Sequence, residues 1–384
     1  MTDKKKILFV NDEMRMGGVA RVLNTLMLSL PKDKYEVDLL VLHKQGMLLD
    51  EVPEGIHVIE GTTFFRPVDE SLEFLVKGGH VFETLRKLRL LFYMKTGLIK
   101  SKIKKERKKI LHKKYDVEVA AKEGFCTIFT AYGDSLRKIN WVLTDYSVCN
   151  YSKNHMGLVK DALRYIDLNI ADSNQALIAY ETVFRVQNGI AIHNLMDTSI
   201  LEKGLLEKHT NITNKNTVNI INVARLHPQK GIDRLIRSST QVYNEGYKHD
   251  LYLIGGGELE DELKKLVEDL KAVHIHFLGF KKNPYRDIAE CDLFVLSSLY
   301  EGFATIINES LIVGTPVLTT RVSGCEEQIT DPSYGWIVEN NEEALTNGLR
   351  EALKDLEKLR KKKQELCHYK YDNEGILKEF MDVL

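Results

Sequence analysis

At 384 residues the chain is longer than one hydrophobic core usually organises, so two domains are expected. Its 43% hydrophobic and 28% charged residues, with only seven prolines, are those of a folded protein and leave no room for a long proline-rich linker. A formal net charge of -1 argues against a general nucleic-acid binder.

The chain opens on Met-Thr-Asp-Lys-Lys-Lys and runs directly into a strand at Ile7 to Val10, too short for a secretion signal. A turn at Asn11 to Gly18 leads to a helix over Val19 to Leu30, with apolar residues at helical spacing. Strands follow at Val37 to Leu42, Val117 to Ala121, Asn140 to Thr144, Leu168 to Ala171 and Ile190 to His193. Between the second and third lies a helical insertion, about 70–113. Its densely basic stretch 95–114 is interleaved with Leu98, Ile99, Ile103, Ile110 and Leu111, and reads either as a solvated helix or as a contact for an anionic membrane surface.

After a polar linker or surface helix at 202–216, a second series of strands is expected at Val218 to Val223, Leu251 to Ile254, His274 to Phe277, Leu293 to Leu296, Pro316 to Leu318 and Trp336 to Val338. Segment 341–366 reads as one long charged helix and Tyr371 to Leu384 as an amphipathic one. No repeat of 20 to 50 residues is visible, which excludes a solenoid. No apolar stretch approaches the ~20 residues that span a bilayer. The cysteines 126, 149, 291, 325 and 367 form no C-x-x-C pair and point to reduced thiols in the cytoplasm, with neither a disulfide frame nor a zinc site. Strand and helix alternation gives an α/β fold of two Rossmann-like domains, 1–197 and 198–370, facing a central cleft. Ligands of such sheets bind beyond the carboxyl ends of the strands, so chemistry is sought in those loops.

Five loops stand out. Gly17 and Gly18 sit where the first strand hands over to a helix, where free N–H groups attract phosphate; a strand-to-helix turn also needs glycine for its own sake. Arg225 and Lys230 flank a second strand end and aim two cations at it, a natural grip for a diphosphate. Gly255, Gly256 and Gly257 form a tight turn after the next strand, either structural or touching a nucleotide, and Phe280 follows Leu278 and Gly279 where a base could be received. The most specific segment runs from Glu301 to Glu309. Gly302 and Phe303 open its loop, Ala304 and Thr305 start a helix whose N–H groups offer an anion site, and Glu309 can accept hydrogen bonds from vicinal hydroxyls such as those of ribose.

These residues, with Gly314-Thr-Pro316-Val317 and the His193-Asn194 and Asp197 stretch, resemble the retaining glycosyltransferase family 4, of GT-B architecture. The resemblance implies that Arg225 and Lys230 bind the donor diphosphate, Glu309 the ribose, and Glu301 with backbone 302–305 the donor sugar. It implies a final helix, about 371–384, that crosses back onto the first domain. The chain departs from the family at Leu143, where many relatives carry a histidine that contacts the donor sugar. His155 is the next histidine, and no spacing brings it there. Asp145 becomes the candidate for acceptor binding. No D-x-D pair occurs, which fits metal-free stabilisation of the leaving group, without a cofactor. The expected activity is hexosyl transfer, with retention, from a UDP-hexose or UDP-N-acetylhexosamine to a glycan or lipid-linked acceptor in bacterial surface polysaccharide synthesis. A non-catalytic partner protein, or a nucleotide-sugar epimerase of the same architecture, are the alternatives.

Overall fold

A computed structural model describes residues 4–68, 70–148, 151–207, 212–214 and 216–384. Cys149 and part of the polar segment 202–216 lie outside the described residues. The chain divides into two compact units, Met1–Leu195 with Asn373–Leu384, and Met196–Asp372.

The first unit runs β1 (Lys5–Asn11), α1 (Gly18–Ser29), β2 (Tyr35–Val41), β3 (His57–Glu60), α2 (Leu72–Lys77), α3 (Val81–Lys95), α4 (Ile99–Ile110), β4 (Val117–Ala120), α5 (Phe125–Ala131), β5 (Arg137–Val142), α6 (Lys153–Leu163), β6 (Leu168–Ala171), α7 (Asn174–Phe184) and β7 (Gly189–Ala191). Its seven strands are all parallel, in the order β3-β2-β1-β4-β5-β6-β7. Ile7 to Val10 are fully buried, as a parallel strand covered by helices on both faces requires. β3 is an addition to the expected set. It is a four-residue edge strand, partly exposed along its length, so burial leaves little mark on its sequence.

The second unit runs α8 (Thr198–Leu206), β8 (Val218–Val223), α9 (Ile232–Asn244), β9 (His249–Ile254), α10 (Glu260–Asp269), β10 (Ile275–Gly279), α11 (Tyr285–Glu290), β11 (Leu293–Leu296), α12 (Thr305–Ile312), β12 (Val317–Thr320), α13 (Cys325–Gln328), β13 (Gly335–Val338), α14 (Glu342–Lys354) and α15 (Leu356–Glu365). Its strands are parallel in the order β10-β9-β8-β11-β12-β13. In both sheets the order reverses next to the first strand, between β1 and β4 and between β8 and β11. A crevice opens there at the carboxyl ends of the strands.

Two expectations need correction. The helix read over 341–366 is two helices, because Asp355 leaves helical geometry and its side chain caps α15 by accepting from the Lys358 amide. The strand read over Asn140 to Thr144 is Arg137–Val142: past Val142, the Leu143 amide donates to the Glu123 carboxylate and Asp145 closes a turn. The last helix, α16 (Asn373–Val383), belongs to the first unit. Phe380 meets Trp141 edge-on at 5.2 Å, and the Tyr35 hydroxyl donates to the Met381 carbonyl at 3.4 Å.

The basic insertion is anchored from within. Arg107 of α4 is buried and bonds Glu118 of β4 at 2.5 Å, where burial pushes the carboxyl pKa up against the pull of the guanidinium. Lys113 pairs with Glu36 and Asp38. These cations of segment 95–114 are internal links, unavailable to an outside surface.

Candidate functional site

The site in the second unit is assembled at the reversal point between β8 and β11. After β8 the chain passes Arg225, makes a single turn of 3-10 helix at Pro228–Lys230, and enters α9 through Gly231. Gly231 has φ 56, and an added Cβ would lie 2.4 Å from the Ser297 carbonyl, so only glycine fits. This tight passage brings the Lys230 side chain onto the loop after β11. There its Nζ lies 2.5 Å from Glu301 Oε1, with both side chains largely buried.

The same loop is fastened at several further points. Ser298 Oγ donates to Glu301 Oε1 at 2.6 Å, Gln229 Nε2 to the Tyr300 carbonyl at 2.9 Å, and Ser297 Oγ to the Lys230 carbonyl at 2.9 Å. Below it, buried Arg234 donates through Nε and Nη2 to the Ser297 carbonyl, at 2.9 and 2.6 Å, and through Nη2 to the Ser298 carbonyl at 2.7 Å. Burial lowers the Arg234 pKa, yet a guanidinium stays charged under any ordinary condition. The strand end therefore carries a fixed positive charge beneath Lys230. Arg225 is exposed at the rim.

Beyond Glu301 the chain turns through buried Gly302, Phe303 and Ala304 into α12. No side chain caps this helix and its first turn holds no acid, while Gln328 Nε2 pins the Ala304 carbonyl at 2.9 Å. Its first-turn amides form a dipole end suited to an anion. Glu309 lies four residues after Thr305, on the same face. The glycine turn after β9 is laced to its neighbours: the Leu226 amide donates to the Gly256 carbonyl, and the Gly255 amide to the Gly279 carbonyl. Cβ atoms at Gly255 and Gly257 would lie 1.8 Å from the Ala224 carbonyl and 2.4 Å from that of Leu226, so these two glycines serve the fold. Gly256 does not: an added Cβ would meet only Phe280, at 3.9 Å. Phe280 is itself exposed, so open backbone and an aromatic face stand side by side.

In the first unit the expected residues lie at the carboxyl ends of β1 and β5. Gly17 and Gly18 are exposed at the start of α1, and an added Cβ on either meets nothing within 4 Å. Asp145 is buried, and its Oδ1 accepts from both the Ser147 amide and hydroxyl, at 2.8 and 2.6 Å, so a turn already engages the acceptor candidate. Two groups that sequence reading missed lie at the reversal point. Lys122 bonds Asp12 at 2.6 Å across 110 residues of chain, and buried Glu123 receives the Leu143 amide at 2.9 Å. His155 packs beside Gly124, its ring stacked on Tyr151 at 4.9 Å, and burial lowers its pKa. The histidine that no spacing could connect with Leu143 thus sits one residue from the carboxylate that Leu143 contacts.

In the second unit, Gln229, Arg234, Ser297 and Ser298 also went unread. Arg234 carried one usable signal, lying one helical turn past Gly231. Among the described residues no group of three or more His, Cys, Asp and Glu side chains could hold a metal ion, and no helix is long and apolar enough to cross a membrane.

Residues 206–366 match the family model described as glycosyl transferases group 1. Over 147 residues the chain is 37% identical to N-acetylgalactosamine-N,N'-diacetylbacillosaminyl-diphospho-undecaprenol 4-alpha-N-acetylgalactosaminyltransferase of Campylobacter jejuni, covering 37% of this chain and 39% of that protein. It is 27% identical over 206 residues to the capsular polysaccharide biosynthesis glycosyltransferase CapM of Staphylococcus aureus, covering 51% of each. The chain thus spans about two fifths to one half of the length of these relatives. Among solved structures, Anabaena Alr3699/HepE in complex with UDP superposes with a TM-score of 0.69 at 18% identity, over 98% of both chains. The fold is that of the GT-B glycosyltransferases, two parallel-sheet Rossmann-like domains.

Proposed function

We propose that this protein is a retaining glycosyltransferase of family 4 that moves a hexosyl or N-acetylhexosaminyl group from a UDP-sugar to a glycan or lipid-linked acceptor in bacterial surface polysaccharide synthesis. One observation carries the reading. Lys230 and Glu301 meet at the reversal point of the second sheet, with Arg225 at the rim, Arg234 beneath, and the uncapped start of α12 alongside.

Breaking the bond between the anomeric carbon and a nucleoside diphosphate leaves positive charge on the sugar and negative charge on the departing phosphate. Lys230 and the amides of Ala304 and Thr305 are donors fixed in advance around the place where that negative charge grows, which is where electrostatic stabilisation is most effective, and the exposed Arg225 adds a second cation from the rim. Glu301, held by Lys230 and Ser298, presents its carboxylate to sugar hydroxyls. Glu309 receives ribose hydroxyls, and Phe280 with the open Gly256 backbone receives the base. In the first unit the α1 turn at Gly17 and Gly18 offers amides to an anionic group. The matches to an undecaprenol-linked transferase and a capsule transferase support a lipid-linked acceptor, and the outward cations of segment 95–114 support peripheral contact with an anionic membrane.

The test is a panel of nucleotide sugars screened for thermal stabilisation and then for turnover with lipid-linked acceptors. A true donor at a hundred times its Kd stabilises by about 2.7 kcal/mol. Stabilisation by a UDP-sugar followed by transfer is expected. Stabilisation without transfer or donor hydrolysis identifies a binding protein, and interconversion of the donor without acceptor identifies an epimerase.

A further inference from the structure

Helix α3 wears its apolar residues on the outside. Of its fifteen residues only Leu90 is buried. Val81, Leu85, Leu88 and Phe92 follow one another at spacings of four, three and four, which aligns them on one face. That face is open to solvent: Phe82 beside it is 79% exposed, Leu85 59% and Phe92 58%. A helix on a globular surface normally turns such a stripe inward. Single exposed apolar residues need no explanation, whereas a continuous stripe marks a contact. Phe74 and Val76 of α2 are exposed as well.

A cationic pocket borders the stripe. Arg86 and Arg89, each one position on from Leu85 and Leu88, line a cavity of 180 Å³ together with Phe64 and with Lys102, Glu106 and Lys109 of α4. Glu106 answers Lys102 and Lys109, at 2.6 and 2.8 Å, and Glu83 pairs with Arg86. Four cations against two carboxylates leave a surplus of two positive charges. Arg89 has no carboxylate partner among the described residues and lies 6.0 Å from the Tyr93 ring centroid. Lys95 at the end of α3 and Lys104, Lys105 and Lys108 of α4 are exposed. An apolar stripe edged by cations and by a pocket lined with two arginines and two lysines matches an anionic bilayer, which offers acyl chains and phosphates at once.

We propose that α3 lies in the head-group layer of an anionic membrane, with its Val81-Leu85-Leu88-Phe92 face and Phe82 entering the acyl boundary while Arg86, Arg89, Lys102 and Lys109 hold a lipid phosphate. This deepens the membrane contact suggested by segment 95–114, and rests on it, by moving the seat of binding from bare charge to α3.

Co-sedimentation of the full chain with phosphatidylcholine vesicles, with and without 30 mole per cent phosphatidylglycerol, tests both levels. Three variants are compared: Phe82→Ser with Leu85→Ser, Arg86→Gln with Arg89→Gln, and Lys104→Gln with Lys105→Gln and Lys108→Gln. All substituted side chains except Arg86 are exposed, and circular dichroism with thermal melting verifies folding. The expected result is at least a tenfold loss of vesicle affinity for each α3 variant and under a threefold loss for the lysine variant. A Phe82→Trp chain should show a blue-shifted emission with anionic vesicles only. Loss confined to the lysine variant overturns the α3 proposal and leaves the looser electrostatic contact standing. No binding of the unaltered chain overturns both. If sedimentation velocity finds a dimer that Phe82→Ser with Leu85→Ser dissolves, the face joins two copies of the chain, and the proposal fails.

Discussion

The carboxyl ends of the two sheets are built on one plan and furnished differently. In the second unit the groups around the reversal point form one fastened cluster, in which Gln229, Lys230, Ser297, Ser298 and Glu301 bond one another and Arg234 grips them from below. In the first unit the corresponding place holds an Asp12–Lys122 pair whose Asp12 also accepts from the Glu13 amide, a Glu123 bonded to the Leu143 backbone amide, and an Asp145 occupied by its own turn, with no one side chain among the described residues gripping all three. A group that is the same in every donor, such as a nucleoside diphosphate, rewards a rigid cluster assembled once. A ligand that varies from one transferase to the next leaves its recognition spread among residues with no common motif.

The largest expected effect tests this asymmetry directly. Lys230→Ala and Arg225→Ala should each lower kcat/KM by about a hundredfold to a thousandfold, since deleting one preorganised donor costs about 3 kcal/mol of transition-state stabilisation. Melting temperatures should stay within a few degrees. Lys122→Ala should cost less than tenfold under the same assay. Equal losses in the two units would erase the contrast, and near-normal turnover in both Lys230→Ala and Arg225→Ala would overturn the donor assignment.

Next come the glycines. Gly255→Ala forces a Cβ to 1.8 Å from the Ala224 carbonyl and should destabilise the second unit by about 3 kcal/mol, as backbone displacement in a packed loop does. Gly18→Ala meets nothing and should change stability by less than about 0.5 kcal/mol. Urea unfolding of both variants measures the difference. A fully tolerated Gly255→Ala would mean that the laced loops of the second unit are looser than the hydrogen bonds between them imply.

What could be read beforehand follows the same division. Strands such as Ile7 to Val10 and Leu293 to Leu296 announce themselves because burial on both faces demands an unbroken apolar run. Arg225, Lys230, Glu301 and Glu309 are legible because strand, glycine and helix lie within a few residues of each. The Lys122–Asp12 bond joins residues 110 apart, and only the register of β1 beside β4 brings them together. β3 stayed invisible because an exposed edge imposes no pattern. The break at Asp355 was masked by its charged neighbours, although an aspartate three residues before Lys358 is a legitimate cap.

A smaller effect is expected with pH, again in the second unit. His249 donates through Nδ1 to the Tyr247 carbonyl, so its Nε2 accepts from Ser239, whose oxygen accepts from His274 Nε2 in turn. Burial, then the neighbouring His249, pull the His274 pKa down to about 3, and burial lowers that of His249. Both rings are neutral in the fold and take up protons once it opens. Their contribution is therefore complete above the ordinary imidazole pKa of about 6.5 and is lost as pH falls toward 3. Melting of the second unit should drop by several degrees between pH 7.5 and pH 5. In His274→Phe, which keeps the stack on Tyr243, the drop should shrink. An unchanged slope would assign the acid sensitivity to carboxylates.

The smallest expected effect concerns Leu143. Its side chain is half-buried, and its amide bonds buried Glu123 beside Gly124 and His155. Leu143→His would place a second imidazole next to that carboxylate, which favours the charged ring. If recognition in the first unit is distributed, this one change should alter kcat/KM by less than tenfold, about 1.4 kcal/mol, against the hundredfold or more at Lys230. His155→Ala alone and combined with Leu143→His completes a double-mutant cycle. Additive small losses would fit a distributed site. A large loss at His155 that Leu143→His restores would show instead that the first unit keeps one dominant imidazole and has merely moved it along the chain, in which case the two sheets differ in where their decisive residue is encoded and not in how many they use.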